Sequence, residues 1–258
     1  MTARDTNFHP SREMLNKFAS GELPMGASLA ISAHLELCES CRDVISDIEA
    51  RAAQNWVESP DEHTDSEQHA TDLADLVSKI VEQPQVTELE PAKATIDSIH
   101  MLDRSIRLPK VLAKAASEGL VWKQLGAGIT QADVKIDDEA QCSFIYMKPG
   151  SQTPVHKHQG TETTLVLDGS MSDELGEYHK SDFILRTNKD THQPRTEEGC
   201  LCFSVLDSPL TFTKGLARLL NPINKLRFQR AVGLPDMLME LLTCIQVGLP
   251  EESSFSEW

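Results

Sequence analysis

The chain has 258 residues, with 24 Lys plus Arg against 40 Asp plus Glu and a formal net charge of −16. So acidic a surface argues against direct nucleic-acid binding, which needs basic residues against phosphate, and suits a basic protein partner. No basic–apolar–small leader and no apolar run of membrane-spanning length occurs, so a cytoplasmic protein without membrane association is expected. Its six cysteines then read as ligands, core residues or redox thiols rather than disulfides.

Residues 11–20 predict a short helix with Met14, Leu15 and Phe18 on one side, ended by Gly21 and Pro24. A second helix follows up to Cys38 and places His34 and Cys38 one turn apart on one face. Ser40-Cys41-Arg42-Asp43 has the Ser-x-x-Asp form of a helix start, so Cys41 falls where free N–H groups favour a thiolate. The resulting His34-x3-Cys38-x2-Cys41 spacing offers two soft sulfurs and an imidazole, a set that suits tetrahedral Zn2+. His9 is the candidate fourth ligand, because Pro10 fits the first turn of a helix and puts His9 at its cap.

A third helix is predicted from Cys41 to Trp56, then an acidic loop over 57–68. A fourth helix carries Leu73, Leu76, Val77, Ile80 and Val81 as a stripe that either closes the bundle or is offered to a partner. Helices this short bury little, so a structural zinc worth roughly 10 kcal/mol would decide whether they fold.

Two prolines and several acids between Gln83 and Pro91 read as a linker. Beyond it the texture changes to short strand candidates: Val121–Leu125, Val134–Ile136, Cys142–Met147, Thr163–Leu167, Phe183–Arg186 and Cys200–Leu206. Lys148-Pro149-Gly150 and Leu167-Asp168-Gly169 read as tight turns. Met237, Leu238, Leu241 and Leu242 mark a short helix before an acidic tail. The fold class expected is α+β in two domains. Residues 1–85 form a small helical zinc bundle, 86–98 a linker, 99–230 an all-β jelly-roll barrel with flanking helices, and 231–258 a C-terminal helix and tail.

The barrel carries the second constellation, Gly150-x5-His156-Lys-His158-x3-Glu162-x6-Gly169, with His192 further on. Residues two apart on a strand face one side, so His156 and His158 can share a centre that Glu162 and His192 complete. Three imidazoles and a carboxylate suit zinc or another divalent transition metal. Cys200-Leu-Cys202 puts two thiols on one strand face, read either as a redox-sensing pair or as two small core residues. His63, His69, His100 and His179 match neither motif and read as exposed, and Cys142 and Cys244 read as core.

Together, these features resemble the ChrR family of zinc-dependent anti-sigma factors, which join an N-terminal zinc domain to a C-terminal cupin-like domain. The resemblance spans nearly the whole chain. It assigns His9, His34, Cys38 and Cys41 to the anti-sigma zinc motif, and His156, His158, Glu162 and His192 to the cupin site. One departure is that the second cupin motif, usually Pro-x-Gly-x-x-His, is here Asn188-Lys-Asp-Thr-His192. The resemblance implies a non-enzymatic regulator. Its helical domain would bind an extracytoplasmic-function (ECF) sigma factor, and its cupin domain would sense an oxidative signal such as singlet oxygen. The alternative is a metal-dependent cupin dioxygenase or oxidase with a zinc scaffold domain.

Overall fold

A computed structural model describes residues 8–58, 66–84, 97–101, 104–126 and 128–233. The expected helix at Met237–Leu242, the tail, Cys244, His63 and the side chain of His69 lie outside what it describes.

The N-terminal part is helical: α1 (Arg12–Ala19), α2 (Met25–Leu37), α3 (Glu39–Glu58) and α4 (Ser66–Val81). Pro10 precedes the first helix rather than opening it. Ser11 is the N-cap, and its hydroxyl accepts from the Met14 N–H at 3.2 Å. Cys38 is the single extended residue (φ −121°, ψ 111°) between α2 and α3. The third helix therefore starts at Glu39, two residues earlier than its Ser-x-x-Asp signature suggests. Ser40 does not cap it; its hydroxyl lies 3.1 Å from the Cys38 sulfur. The same helix runs on to Glu58, into the stretch read as a loop.

A hairpin of β1 (Ser98–Met101) and β2 (Arg104–Arg107) follows, then α5 (Lys110–Ala115). The barrel strands are β3 (Trp122–Gly126), β4 (Ile129–Val134), β5 (Gln141–Met147), β6 (His156–Lys157), β7 (Glu162–Asp173), β8 (Gly176–His179), β9 (Phe183–Arg186), β10 (Thr191–His192), β11 (Cys200–Leu206) and β12 (Thr211–Phe212); α6 (Asn221–Ala231) closes the described chain. One sheet runs β3-β4-β5-β11-β7-β8 with β9 beside β7, a second runs β10-β6-β12, and all pairings are antiparallel. This is the expected α+β arrangement, with a cupin fold after the helices.

Two strand readings change. The strand placed at Val134–Ile136 ends at Val134, because its apolar face begins at Ile129. Leu167-Asp168-Gly169 is a bulge inside the twelve-residue β7, not a turn. Pairing with β11 shifts register there, and Gly169 takes φ +75° with its α-hydrogen side against the Gly199 carbonyl.

Every residue of β11 is buried, because both faces of the large sheet are covered. Leu201, Phe203 and Val205 face the core shared with the helices, while Cys200 and Cys202 face the opposite way. The helices are therefore docked on the barrel's outer face. Gly26 of α2 makes this possible: a Cβ there would stand 2.9 Å from both the Cys142 sulfur and a Val205 methyl. Ala30, Ile31 and Ala33 are fully buried along the same helix. Glu36 of α2 also caps α5, accepting the N–H groups of Lys110 (2.9 Å) and Val111 (3.2 Å) where Pro109 offers no side-chain acceptor.

Phe203 is wholly buried and packs edge-on against Phe144, ring centroids 5.4 Å apart. Phe203→Ala is expected to lower unfolding free energy by about 3–5 kcal/mol. Urea denaturation of the two proteins measures it; a loss under ~1 kcal/mol would mean that the helix-covered sheet face is not a close-packed core.

Candidate metal centres

The first centre gathers His9, His34, Cys38 and Cys41, with one ligand atom from each lying within 4.8 Å of the others. Three elements bring them together: the segment before α1, the last turns of α2, and the first turn of α3. His34 Nε2 is 3.4 Å from the Cys41 sulfur, and His9 Nδ1 is 3.5 and 3.4 Å from the sulfurs of Cys38 and Cys41. His34 Nδ1 donates to the backbone carbonyl of Ser181, in the turn between β8 and β9, at 2.9 Å. That bond fixes the tautomer and leaves Nε2 with a lone pair aimed at the sulfurs.

Burial drives His34 down to about 4, so its imidazole is neutral. Burial, reinforced by Cys38, drives the Cys41 thiol up to about 12. A buried neutral imidazole converging on two buried sulfurs is a set that a divalent cation completes, since it supplies the positive charge that makes the thiolates favourable.

The second centre gathers His156, His158, Glu162 and His192, all buried, again with one ligand atom from each within 4.8 Å. Only His156 and Lys157 are paired as a strand, so His158 arrives from the loop that follows rather than by strand alternation. Glu162 opens β7, and His192 pairs across from His156 in the register of β10 and β6. The unusual second cupin motif still delivers His192, because an acid builds the turn that a glycine usually allows. Asp190 donates its N–H to the Thr187 carbonyl at 3.0 Å, and its carboxylate accepts the Thr187 N–H at 2.7 Å.

His158 Nε2 and His192 Nε2 are 2.9 Å apart, and Glu162 Oε2 is 3.4 Å from the first and 3.9 Å from the second. His156 donates Nδ1–H to the Pro154 carbonyl at 2.9 Å, and His192 donates Nδ1–H to Asp173 at 2.8 Å. Both therefore turn an Nε2 lone pair inward. Buried His158 Nδ1 meets no hydrogen-bond partner among the described residues. Burial pushes His156 down to about 4, keeping it neutral, and lowers His158 too. Two inward Nε2 lone pairs, the His158 ring and the Glu162 carboxylate form a donor set that a divalent cation suits, so the residues fit a metal ion here as well.

Sequence reasoning missed Asp173. Burial alone would raise its pKa, but hydrogen bonds from His192, the Leu175 N–H, Tyr178 and Arg186 outweigh it and hold the carboxylate well below the usual range. It is thereby an ionised acceptor that orients His192. Ser204 of β11 does the same for the Glu162 carboxylate at 2.9 Å. Only a buried Asp followed by Tyr at i+5 marks Asp173 in the sequence, which is too common a pattern to single it out.

Cys200 and Cys202 are buried, with sulfurs 3.2 Å apart, and both are free thiols. The contact with Cys202, then burial, pushes Cys200 well above the usual thiol range. They lie on the same face of β11 as Ser204, and so on the same face as the group that holds Glu162. His100 is exposed and His179 is partly exposed.

Comparison with known proteins agrees with this architecture. A family profile for the ChrR cupin-like domain matches residues 113–208. The anti-sigma-E factor ChrR of Cereibacter sphaeroides is 28% identical over 219 residues, covering 83% of this chain and 96% of that protein. The crystal structure of Rhodobacter sphaeroides SigE in complex with the anti-sigma ChrR includes a chain 25% identical to this one. It covers 78% of this chain and 100% of that one, with a TM-score of 0.61. The resemblance read from the motifs thus extends through both parts of the molecule: the chain is similar to ChrR over most of its length, and residues 113–208 match the ChrR cupin-like domain.

Proposed function

We propose that the protein is an anti-sigma factor that binds an ECF-type sigma factor through its helical domain and inhibits transcription. The observation that carries this is the His9–His34–Cys38–Cys41 cluster within a chain similar over 83% of its length to an anti-sigma factor. Zinc held by these four residues would supply the charge that makes Cys38 and Cys41 thiolates and would tie α1, α2 and α3 together. His156, His158, Glu162 and His192 would hold zinc or another divalent transition metal in the cupin domain, which senses the oxidative signal and triggers release. Cys200 and Cys202 are the candidate thiols for that sensing. The helical domain over 1–85 is the inhibitory unit and 99–230 the sensing unit, joined by the linker at 86–98. The protein acts in the cytoplasm, with a protein partner and no nucleic acid.

The apolar stripe of α4 supports a partner surface rather than a closed bundle. Leu73, Leu76, Val77, Ile80 and Val81 are 51–71% exposed, while all four cupin-site side chains are buried. An exposed apolar face on the first domain beside an enclosed metal set is what a regulator needs. An enzyme needs the metal open to substrate.

The test is a titration of the zinc-loaded full-length protein with an ECF sigma factor of the same genome, with and without a chelator. Tight binding that the chelator abolishes is expected; no binding by folded, zinc-loaded protein would overturn the reading. At saturating zinc, the His156→Ala/His158→Ala double variant is expected to bind sigma within about threefold of wild type yet to lose oxidant-triggered release. Loss of binding in that variant would place inhibition in the cupin domain instead.

A further inference from the structure

The geometry points to a direct physical link between the two candidate metal centres, with Tyr178 and Phe8 as positioning residues that make metal binding at one centre strengthen binding at the other. This rests on the reading that both sets of residues hold metal.

The link begins at the turn between β8 and β9. The first centre's imidazoles are both tied to it. His34 donates to the Ser181 carbonyl at 2.9 Å, with Ser181 held at φ +78°, the positive-φ non-glycine residue among those described. The His34 ring also stands edge-on to Phe183, centroids 5.7 Å apart. His9 is held through its neighbour. The Phe8 carbonyl accepts the Phe183 N–H at 2.9 Å, and the Phe8 N–H reaches Asp182 at 3.4 Å. These contacts span more than a hundred residues of sequence and define where the first two ligands stand.

From there the path crosses the barrel wall. The Phe8 ring packs edge-on against Tyr178, centroids 4.8 Å apart, in a small core with Val166, Met171, Ile184 and the two cysteines of β11. The Tyr178 hydroxyl donates to Asp173 Oδ1 at 2.8 Å, and Asp173 Oδ2 accepts from His192 Nδ1 at 2.8 Å. Arg186 lies over the Tyr178 ring and bonds to the same Asp173 oxygen as His192 at 3.1 Å. The bond that orients His192 in the second centre is thus held by a residue, Tyr178, that also packs against Phe8 beside the first. A ring shift at Phe8 moves Tyr178, and a shift at Tyr178 alters the bond that aims His192. Partners of this kind, one step removed from the ligands, set metal affinity by tenfold or more. Coupling between sites is also reciprocal.

Full-length protein titrated with Co2+ in a metal buffer tests this. Thiolate-to-Co2+ charge transfer reports the first centre alone, and total bound metal reports both. His156→Ala/His158→Ala gives the first centre's affinity with the second disabled. The expected coupling factor in wild type is about fivefold or more. Tyr178→Phe keeps both ligand sets and both rings, and is expected to bring the factor close to one while two ions still bind. A factor near one in wild type with two ions bound overturns the link, as does an unchanged factor in Tyr178→Phe, which would reduce Tyr178 to a packing role. A single ion bound by wild type overturns the two-centre reading itself, and stoichiometry tells that failure apart from loss of coupling.

Discussion

Cys38→Ser is expected to remove one equivalent of bound zinc and abolish sigma binding. Cys38 is the one extended residue between α2 and α3, and its sulfur sits 3.5 Å from the His9 ring. A serine hydroxyl stays protonated at neutral pH and does not replace a thiolate. Of the helices around it, α1 buries only Leu15 and α3 only Cys41 and Ile45, and a structural zinc contributes roughly 10 kcal/mol or more of apparent binding energy. That is as large as the whole stability of a typical domain, about 5–15 kcal/mol. Elemental analysis, far-ultraviolet circular dichroism and sigma titration on the same preparation measure the effect. Tight sigma binding by a folded variant lacking that zinc would show that the first centre does not organise the inhibitory surface.

The second large effect is expected from charge placed on α4. Leu76→Asp with Ile80→Asp puts two carboxylates into the exposed apolar stripe, and sigma affinity is expected to fall by about 100-fold or more, since central apolar anchors each contribute 2 kcal/mol or more. Both side chains are more than half exposed in the free protein, so stability should change by less than about 0.5 kcal/mol each. Calorimetric titration beside a melting curve separates the two. Wild-type affinity in the double variant would mean that sigma engages a different face.

Most of each residue cluster was legible because its motif is local. His34, Cys38 and Cys41 span eight residues, and His156, His158 and Glu162 span seven. Spacing on one helix or one loop fixes such groups before any tertiary contact is known. The helices with periodic apolar faces and the β-branched strands were legible for the same reason. Leu167-Asp168-Gly169 misled because a glycine at positive φ serves a turn and a bulge equally well, and only the partner strand decides. What holds the ligands was not legible. Ser181 lies 147 residues from His34, and Asp173 lies 19 residues from His192 across two strands. The docking of α2 on the sheet was hidden too, since its signal is the smallness of Gly26, Ala30 and Ala33, and small residues satisfy many environments.

The seating of Gly26 against Val205 has a consequence for synthesis. About 180 residues separate the two positions. At about 5–20 residues per second, a ribosome takes on the order of ten to thirty-five seconds to cover that distance. During that interval the nascent helices carry all four residues of the first centre but have no barrel to rest on. A protein partner is then the helices' available means of burying apolar surface. On the proposed function, a newly made molecule would present its partner-binding helices before the proposed sensing domain has been translated.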